Sequence, residues 1–176
     1  EDKKTEIQNN INKGVTRLKT FQISNGGMSY WPNNNNGATE WGTNYAGHFL
    51  IEARDLGYAV PEDMIKNWLK FQKQRANSWS RYNNSGYSSE LLQSYRLYTL
   101  ALAKKPALGA MNRMKEINDL TVSSRWRLAG AYLLAGKPEV AKSLVKGIGV
   151  NVPSYNSPSY TYGSSRRDEA MILEVL

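Results

Sequence analysis

Apolar positions recur along this chain at helical spacing, and they do so in two ways. In the first, a narrow apolar stripe runs down a segment otherwise made of Lys, Asn, Gln, Glu and Arg. Ile7, Ile11, Val15 and Leu18 form one such stripe; Met64, Ile65, Trp68 and Leu69 form the next. Leu108, Met111, Met114 and Ile117 form a third, and Val140, Leu144 and Ile148 a fourth. These segments are predicted helices with one face in water. In the second kind, apolar residues cover most of the circumference and small residues are frequent. YAGHFLIEARDL (45–56), LLQSYRLYTLALA (91–103) and WRLAGAYLLAG (126–136) are of this kind. Burial on several faces is the expectation for them, and the helices are placed at about 43–56, 88–103 and 123–135.

The two kinds alternate strictly, and their junctions repeat. An apolar helix ends, a few residues follow, and Pro61, Pro106 or Pro138 opens the next striped helix, where its missing N–H costs nothing. The tail SSRRDEAMILEVL begins a further apolar helix, with Ser165 as N-cap and Asp168 at the capping-box position. That helix is expected to continue past the last residue, and to pack back onto 126–136 or pair with a second copy. Alternating outer and inner helices build either an open solenoid or a closed α/α toroid. The apolar inner helices favour the toroid. So do the long aromatic links leading into them, at 24–41, 78–89 and 151–165. The fold class predicted is therefore all-α: an incomplete α/α toroid with alternating outer and inner helices. Residues 1–176 are read as one domain, a fragment cut short at its C-terminus.

Composition narrows the function classes. With no cysteine, the chain has no disulfide, no cysteine nucleophile and no zinc–thiolate site of its own. No apolar stretch is long enough to cross a bilayer, so membrane insertion of this segment is not expected. The net charge of +8 suggests nucleic acid or an anionic envelope surface. Its lysines, however, scatter over polar helix faces (Lys13, Lys19, Lys66, Lys70, Lys73, Lys142, Lys146), and only Arg125 with Arg127 and Arg166 with Arg167 lie close together. No recognition motif accompanies the charge, so nucleic acid is not expected as a partner.

One ordered string is distinctive: FQISNGGMSYWPNNNNGATEWGTNYAGHFLIEARDLGYAVPEDMIKNWLKFQ. It runs Gln, Asn-Gly-Gly, aromatic-Trp-Pro, a Trp-x-Thr-x-Tyr-Ala helix start, a Glu-Ala-x-x-x-Gly-Tyr-x-Val-Pro junction, then a helix bearing tryptophan. This resembles the thioester-type α/α toroid of bacterial alpha-2-macroglobulins, relatives of the complement proteins. The motif-bearing part spans about 7–72, and RLAGAYLLAGKPEVAKSLV and RRDEAMILEVL follow the pattern more loosely. The Asn-Gly-Gly turn alone also resembles terpenoid cyclases and prenyltransferases of the same fold; the ordered string is the specific feature. The resemblance implies a non-catalytic domain of a large molecule of the cell envelope, periplasm or exterior. That molecule traps a protease after bait cleavage and so acts as an endopeptidase inhibitor. The implied partners are other domains of the parent chain and, through the parent, proteases. Family members bearing a thioester carry it on a Cys-Gly-Glu-Gln or Cys-Leu-Glu-Gln motif before the first helix seen here. This cysteine-free sequence cannot hold one itself. Animal members use a histidine near the position of Thr121, where this chain has none close by.

Candidate residues follow. Gly26 and Gly27 are expected to supply positive φ after a helix end. Tyr30, Trp31, Trp41, Trp79, Tyr82, Tyr87 and Tyr160 form an aromatic loop surface, with Tyr155 and Tyr162 beside it, expected to pack at one end of the barrel or to stack a glycan. A glycan-binding or glycan-processing toroid module is therefore the alternative function. Such an enzyme would use two carboxylates across a cleft, from among Glu40, Glu90, Asp168 and Glu169. Acids at helix starts are more simply read as caps and dipole partners, so no catalytic residue is assigned. His48, the only histidine, reads as a hydrogen-bonded core or inter-helix residue; no metal site and no cofactor are expected.

Overall fold

A computed structural model describes residues 2–81, 87–155 and 163–176. Among the described residues there are eight helices and no strand, only an isolated antiparallel bridge between Gln22 and Met28. The chain divides into two compact units, Glu1–Gln74 and Arg75–Leu176.

The first unit holds α1 (Lys3–Lys19), α2 (Glu40–Asp55) and most of α3 (Glu62–Ser78). Thr39 caps α2 by accepting a hydrogen bond from Gly42 N at 3.1 Å, so the helix starts three residues earlier than the apolar pattern implied. Pro61 immediately precedes α3 and its carbonyl accepts from Ile65 N. The core is Val15, Ala46, Leu50, Ile51, Ala53, Met64, Ile65, Trp68 and Phe71. Two expectations need correction here. Tyr45 and Leu56 are 68% and 72% exposed, so α2 is buried on one broad side only; and Ile7, within the α1 stripe, is 50% exposed.

The second unit is organised around α6 (Val122–Leu134), which lies against α4 (Tyr87–Leu102), α5 (Leu108–Lys115), α7 (Pro138–Val145) and α8 (Ser165–Leu173). From Glu90 to Ala101 every residue of α4 but Leu92 is buried, as its all-round apolar pattern requires. Gly130 of α6 allows close packing: a β-carbon there would lie 2.7 Å from Val175 Cγ2 and 3.1 Å from the Tyr98 ring. Pro138 is the first residue of α7, whereas Pro106 stands two residues ahead of α5. Helix α7 ends before Ile148, because Gly147 turns the chain at φ +74°.

The tail packs back onto 126–136, the first of the two arrangements expected for it. Its cap is Ser164 rather than Ser165: Ser164 Oγ accepts from Arg167 N at 3.1 Å. Asp168 is thereby moved one place past the capping-box position, and α8 ends at Leu173.

Candidate functional site

The link between α1 and α2 is the most constrained part of the first unit. It folds back on itself: Ile23 N donates to Gly27 O, Gly26 N to Ile23 O, and Ser29 N to Phe21 O, all within 2.8–2.9 Å. Gly26 has φ +93°, and a β-carbon on it would collide with the backbone carbonyl of Asn67 on α3. Gly27 is there for a different reason than positive φ. A side chain on it would meet Ala38 and the ring of Phe71. Gln22 locks this hairpin to α3 by donating from Nε2 to Met64 O at 2.9 Å and to Gly26 O at 3.2 Å.

The same residues fasten α2 to α3. Thr43 Oγ1 donates to Thr39 O at 2.6 Å and accepts from Met28 N at 2.9 Å. Trp68, fully buried, lies against Gly47 and donates from Nε1 to Thr43 O at 2.8 Å. Gln72 Nε2 donates to Asn44 Oδ1 one turn further on, with both residues buried. The Gln, Gly-Gly, Thr and Trp positions of the distinctive string thus form one interlocked network. Its polar members are satisfied inside the protein, and that is a structural role.

What the link presents outward is Tyr30 and Trp31. They are 53% and 64% exposed, and their rings meet edge to face at 5.1 Å and 77°. The backbone carrying them is pinned on both sides, by Ser29 N to Phe21 O and by Asn33 N to Thr20 O at 2.6 Å. Asn33 adopts φ +56°, a conformation asparagine tolerates better than most residues. Trp41 sits half-buried in the first turn of α2.

Trp79, in the second unit, is also half-buried and donates from Nε1 to Ser89 Oγ at 3.0 Å, tying together the two sides of the 78–89 link. It lines a groove of about 400 Å³ with Arg81, Gln93, Arg113, Glu116 and Asp119. Arg81 forks onto Asp119 (2.6 and 2.9 Å) and reaches Glu90 Oε1 at 2.7 Å. The hydrogen bonds from Arg81 hold the Asp119 carboxyl below the usual aspartate range. Tyr82 and Tyr160, with Tyr162, lie outside the described residues; Tyr87 begins α4, but its side chain is not among those described. Of the aromatic candidates among the described residues, then, Tyr30 and Trp31 are the pair brought together in the open.

The acids at helix starts are engaged structurally. Glu90 is buried against Arg81. Asp168 is buried, accepting from Arg167 (2.7 and 2.9 Å) and from Tyr155 Oη (2.8 Å). Glu169 accepts from Val152 N, and Glu40 stands in the first turn of α2. His48 is half-buried, with Nε2 3.8 Å from Glu52 Oε1 one turn on. Among the described residues no group of three or more His, Cys, Asp or Glu is placed to hold a metal ion.

One arrangement had no sequence counterpart. Arg127, singled out in the sequence only for lying close to Arg125, is 1% exposed. Its guanidinium lies over the rings of Tyr98 (4.2 Å) and Tyr95 (5.3 Å), and Nη1 donates to Glu174 Oε2 at 2.7 Å. Tyr98 Oη donates to the other oxygen of Glu174 at 3.2 Å. The available signal was the arginine inside an otherwise apolar helix; its partner, 47 residues away, was not visible.

Comparison with known proteins agrees with this layout. No family model matches the chain. Alpha-2-macroglobulin of Escherichia coli K12 is 29% identical over 177 residues, covering 94% of this chain. The chain spans only 10% of the length of that curated relative. A crystal structure of native E. coli alpha-2-macroglobulin from domain MG7 to the C-terminus matches 99% of this chain with a TM-score of 0.82 at 27% identity, over 29% of its own length. Salmonella alpha-2-macroglobulin reacted with methylamine matches 99% of the chain with a TM-score of 0.80 at 26% identity, over 12% of its own length.

Proposed function

We propose, from the premise that this chain belongs to the bacterial alpha-2-macroglobulin family, that it serves as a non-catalytic helical module of a protease-trapping protein at the cell envelope. The observation that carries this reading is the correspondence of 99% of the chain, at a TM-score of 0.82 and 27% identity, with the region of the E. coli protein from MG7 to the C-terminus. The fold expected from the alternation of striped and apolar helices, an incomplete α/α toroid over residues 1–176, is part of this reading. The module contributes rigidity and surface rather than chemistry. Its buried acids Glu90 and Asp168 are paired with Arg81 and Arg167, and buried Arg127 with Glu174, and Tyr30 and Trp31 are offered to a neighbour, in the first instance another domain of the parent chain. Proteases are met through the parent, in the periplasm, at the envelope or outside the cell.

The test uses the full-length protein carrying this segment. Incubated with trypsin or elastase, the proteases named for the activated E. coli relatives, it should lower hydrolysis of a large protein substrate while leaving a small chromogenic peptide accessible. Equal hydrolysis of both substrates with and without the protein would remove the trapping reading.

A further inference from the structure

A second groove lies in the first unit, between the C-terminal half of α1 and the turn that follows Trp31. It has a volume of about 650 Å³, and α1 contributes Asn9, Asn12, Lys13, Thr16 and Arg17, its C-cap Thr20, and the turn Pro32 and Asn33. Every α1 residue in it falls on one helical stripe, and no carboxylate lines it. Lys13 and Arg17 are both exposed and four residues apart. Neither is ion-paired among the described residues. The Arg17 guanidinium is backed by the Phe21 ring at 5.9 Å. The nearest acid along the helix is Glu6, about two turns before Lys13. Basic residues in a last helical turn compensate the dipole, which accounts for Arg17 but not for Lys13, since that effect falls off within one turn.

We propose that this groove binds an extended polypeptide segment carrying carboxylates at alternate positions, with an apolar or proline side chain against Trp31. The spacing supports it. Residues four apart on a helix are separated by about 6 Å of rise. Alternate residues of an extended strand project to the same side about 6.7 Å apart. Two carboxylates at i and i+2 therefore match Lys13 and Arg17, whereas adjacent carboxylates point to opposite faces and do not. Thr16 between them, with Asn12 and Asn33 also lining the groove, supplies both donors and acceptors, the complement of a peptide backbone. Trp31, next to Pro32 in the chain and 64% exposed on a pinned turn, is the kind of preordered aromatic that dominates protein interfaces. This inference stands apart from the protease-trapping reading and can fail without it.

The experiment measures fluorescence anisotropy of two labelled hexapeptides at low salt, each with two Glu and with equal composition and charge, one carrying them at alternate positions i and i+2 and the other at adjacent positions. Preferential binding of the alternating peptide is expected. Lys13→Gln and Arg17→Gln should each weaken it about three- to fivefold, as for an exposed ion pair, and Trp31→Ala about tenfold. Lys70→Gln, an equal charge loss on α3, should leave it unchanged. All four side chains are exposed, and far-UV circular dichroism checks that each variant folds. Equal affinity for both peptides, no measurable binding, or equal weakening by Lys70→Gln would overturn the proposal. So would tighter binding of an oligogalacturonate than of the alternating peptide, which would make the groove a site for anionic glycans.

Discussion

Replacing Gly47 with alanine adds one methyl group to α2 at a point where the space is already taken. The new β-carbon would sit against Cε2, Nε1 and Cζ2 of Trp68, a side chain with no exposed surface of its own. Helix propensity alone argues for stabilisation, by about 0.8–1 kcal/mol for Gly to Ala. Overpacking argues the other way, by about 1–3 kcal/mol when a core must shift around an added carbon. The indole has little freedom to shift, because Nε1 is held to Thr43 O, and losing that bond costs a further ~0.5–1.5 kcal/mol. The steric and hydrogen-bond terms win, and a net destabilisation of about 2 kcal/mol is expected. Urea unfolding followed by far-UV circular dichroism reads this as a lower midpoint at unchanged slope. A cycle isolates the cause. In a Trp68→Leu background the side chain ends at Cδ and the positions of Nε1, Cε2 and Cζ2 are empty, so Gly47→Ala should lose most of its cost and approach its propensity gain. If Gly47→Ala stabilises the parent protein, or costs the same with leucine at 68, the close approach of α2 and α3 through this glycine is refuted.

The remaining expectations follow from single contacts. Glu174→Gln leaves the guanidinium of Arg127 buried with a neutral partner. Because Glu174 is itself 37% exposed, the cost should be about 1–2 kcal/mol rather than the ~3–5 of a wholly buried pair, with faster amide exchange over 173–176. Asp119→Asn should lower stability at neutral pH. Since Arg81 depresses the folded-state pKa of Asp119, the stabilisation is whole above the ordinary aspartate value near ~3.9 and fades as pH falls through the lower folded value. The gap between variant and parent in urea midpoint should therefore close below about pH 4; a gap that is constant with pH would refute the ion-pair account. Exposure to methylamine, with which a Salmonella relative has been reacted, should leave the mass of this cysteine-free chain unchanged, and a gain matching amide formation would contradict a non-covalent role.

How much of this was legible in the sequence depends on whether the deciding interaction was local. Helix periodicity is local, so the alternation of striped and apolar helices, and the bounds of the three apolar helices to within about three residues, could be read directly. Proline at a helix start is local too, and Pro138 sits where its ring is harmless. Tyr45 and Leu56 were misread because apolar content says that a helix has apolar surface, not that a neighbour covers each side of it. Ser164 and Ser165 are chemically equal as caps, and only the packing of Asp168 against Arg167 and Tyr155 chooses between them.

Arg127 is the clearest case of a non-local decision. Its burial requires two tyrosines a few residues apart on α4 and a glutamate following α8, none of them near it in the sequence. Removing an arginine from water is costly unless its charge and its planar face both find partners, and here one carboxylate and two rings supply them. The same logic separates the two halves of the aromatic question. Trp68 and Trp79 are drawn inward because their indole N–H groups find Thr43 O and Ser89 Oγ. Tyr30 and Trp31 are held outward by a backbone pinned at Phe21 and Thr20, so their exposure is built into the turn rather than left over from packing. A fixed exposed aromatic pair would lose little conformational entropy on being covered, so among the described aromatic residues this turn is the one where the cost of covering would be lowest.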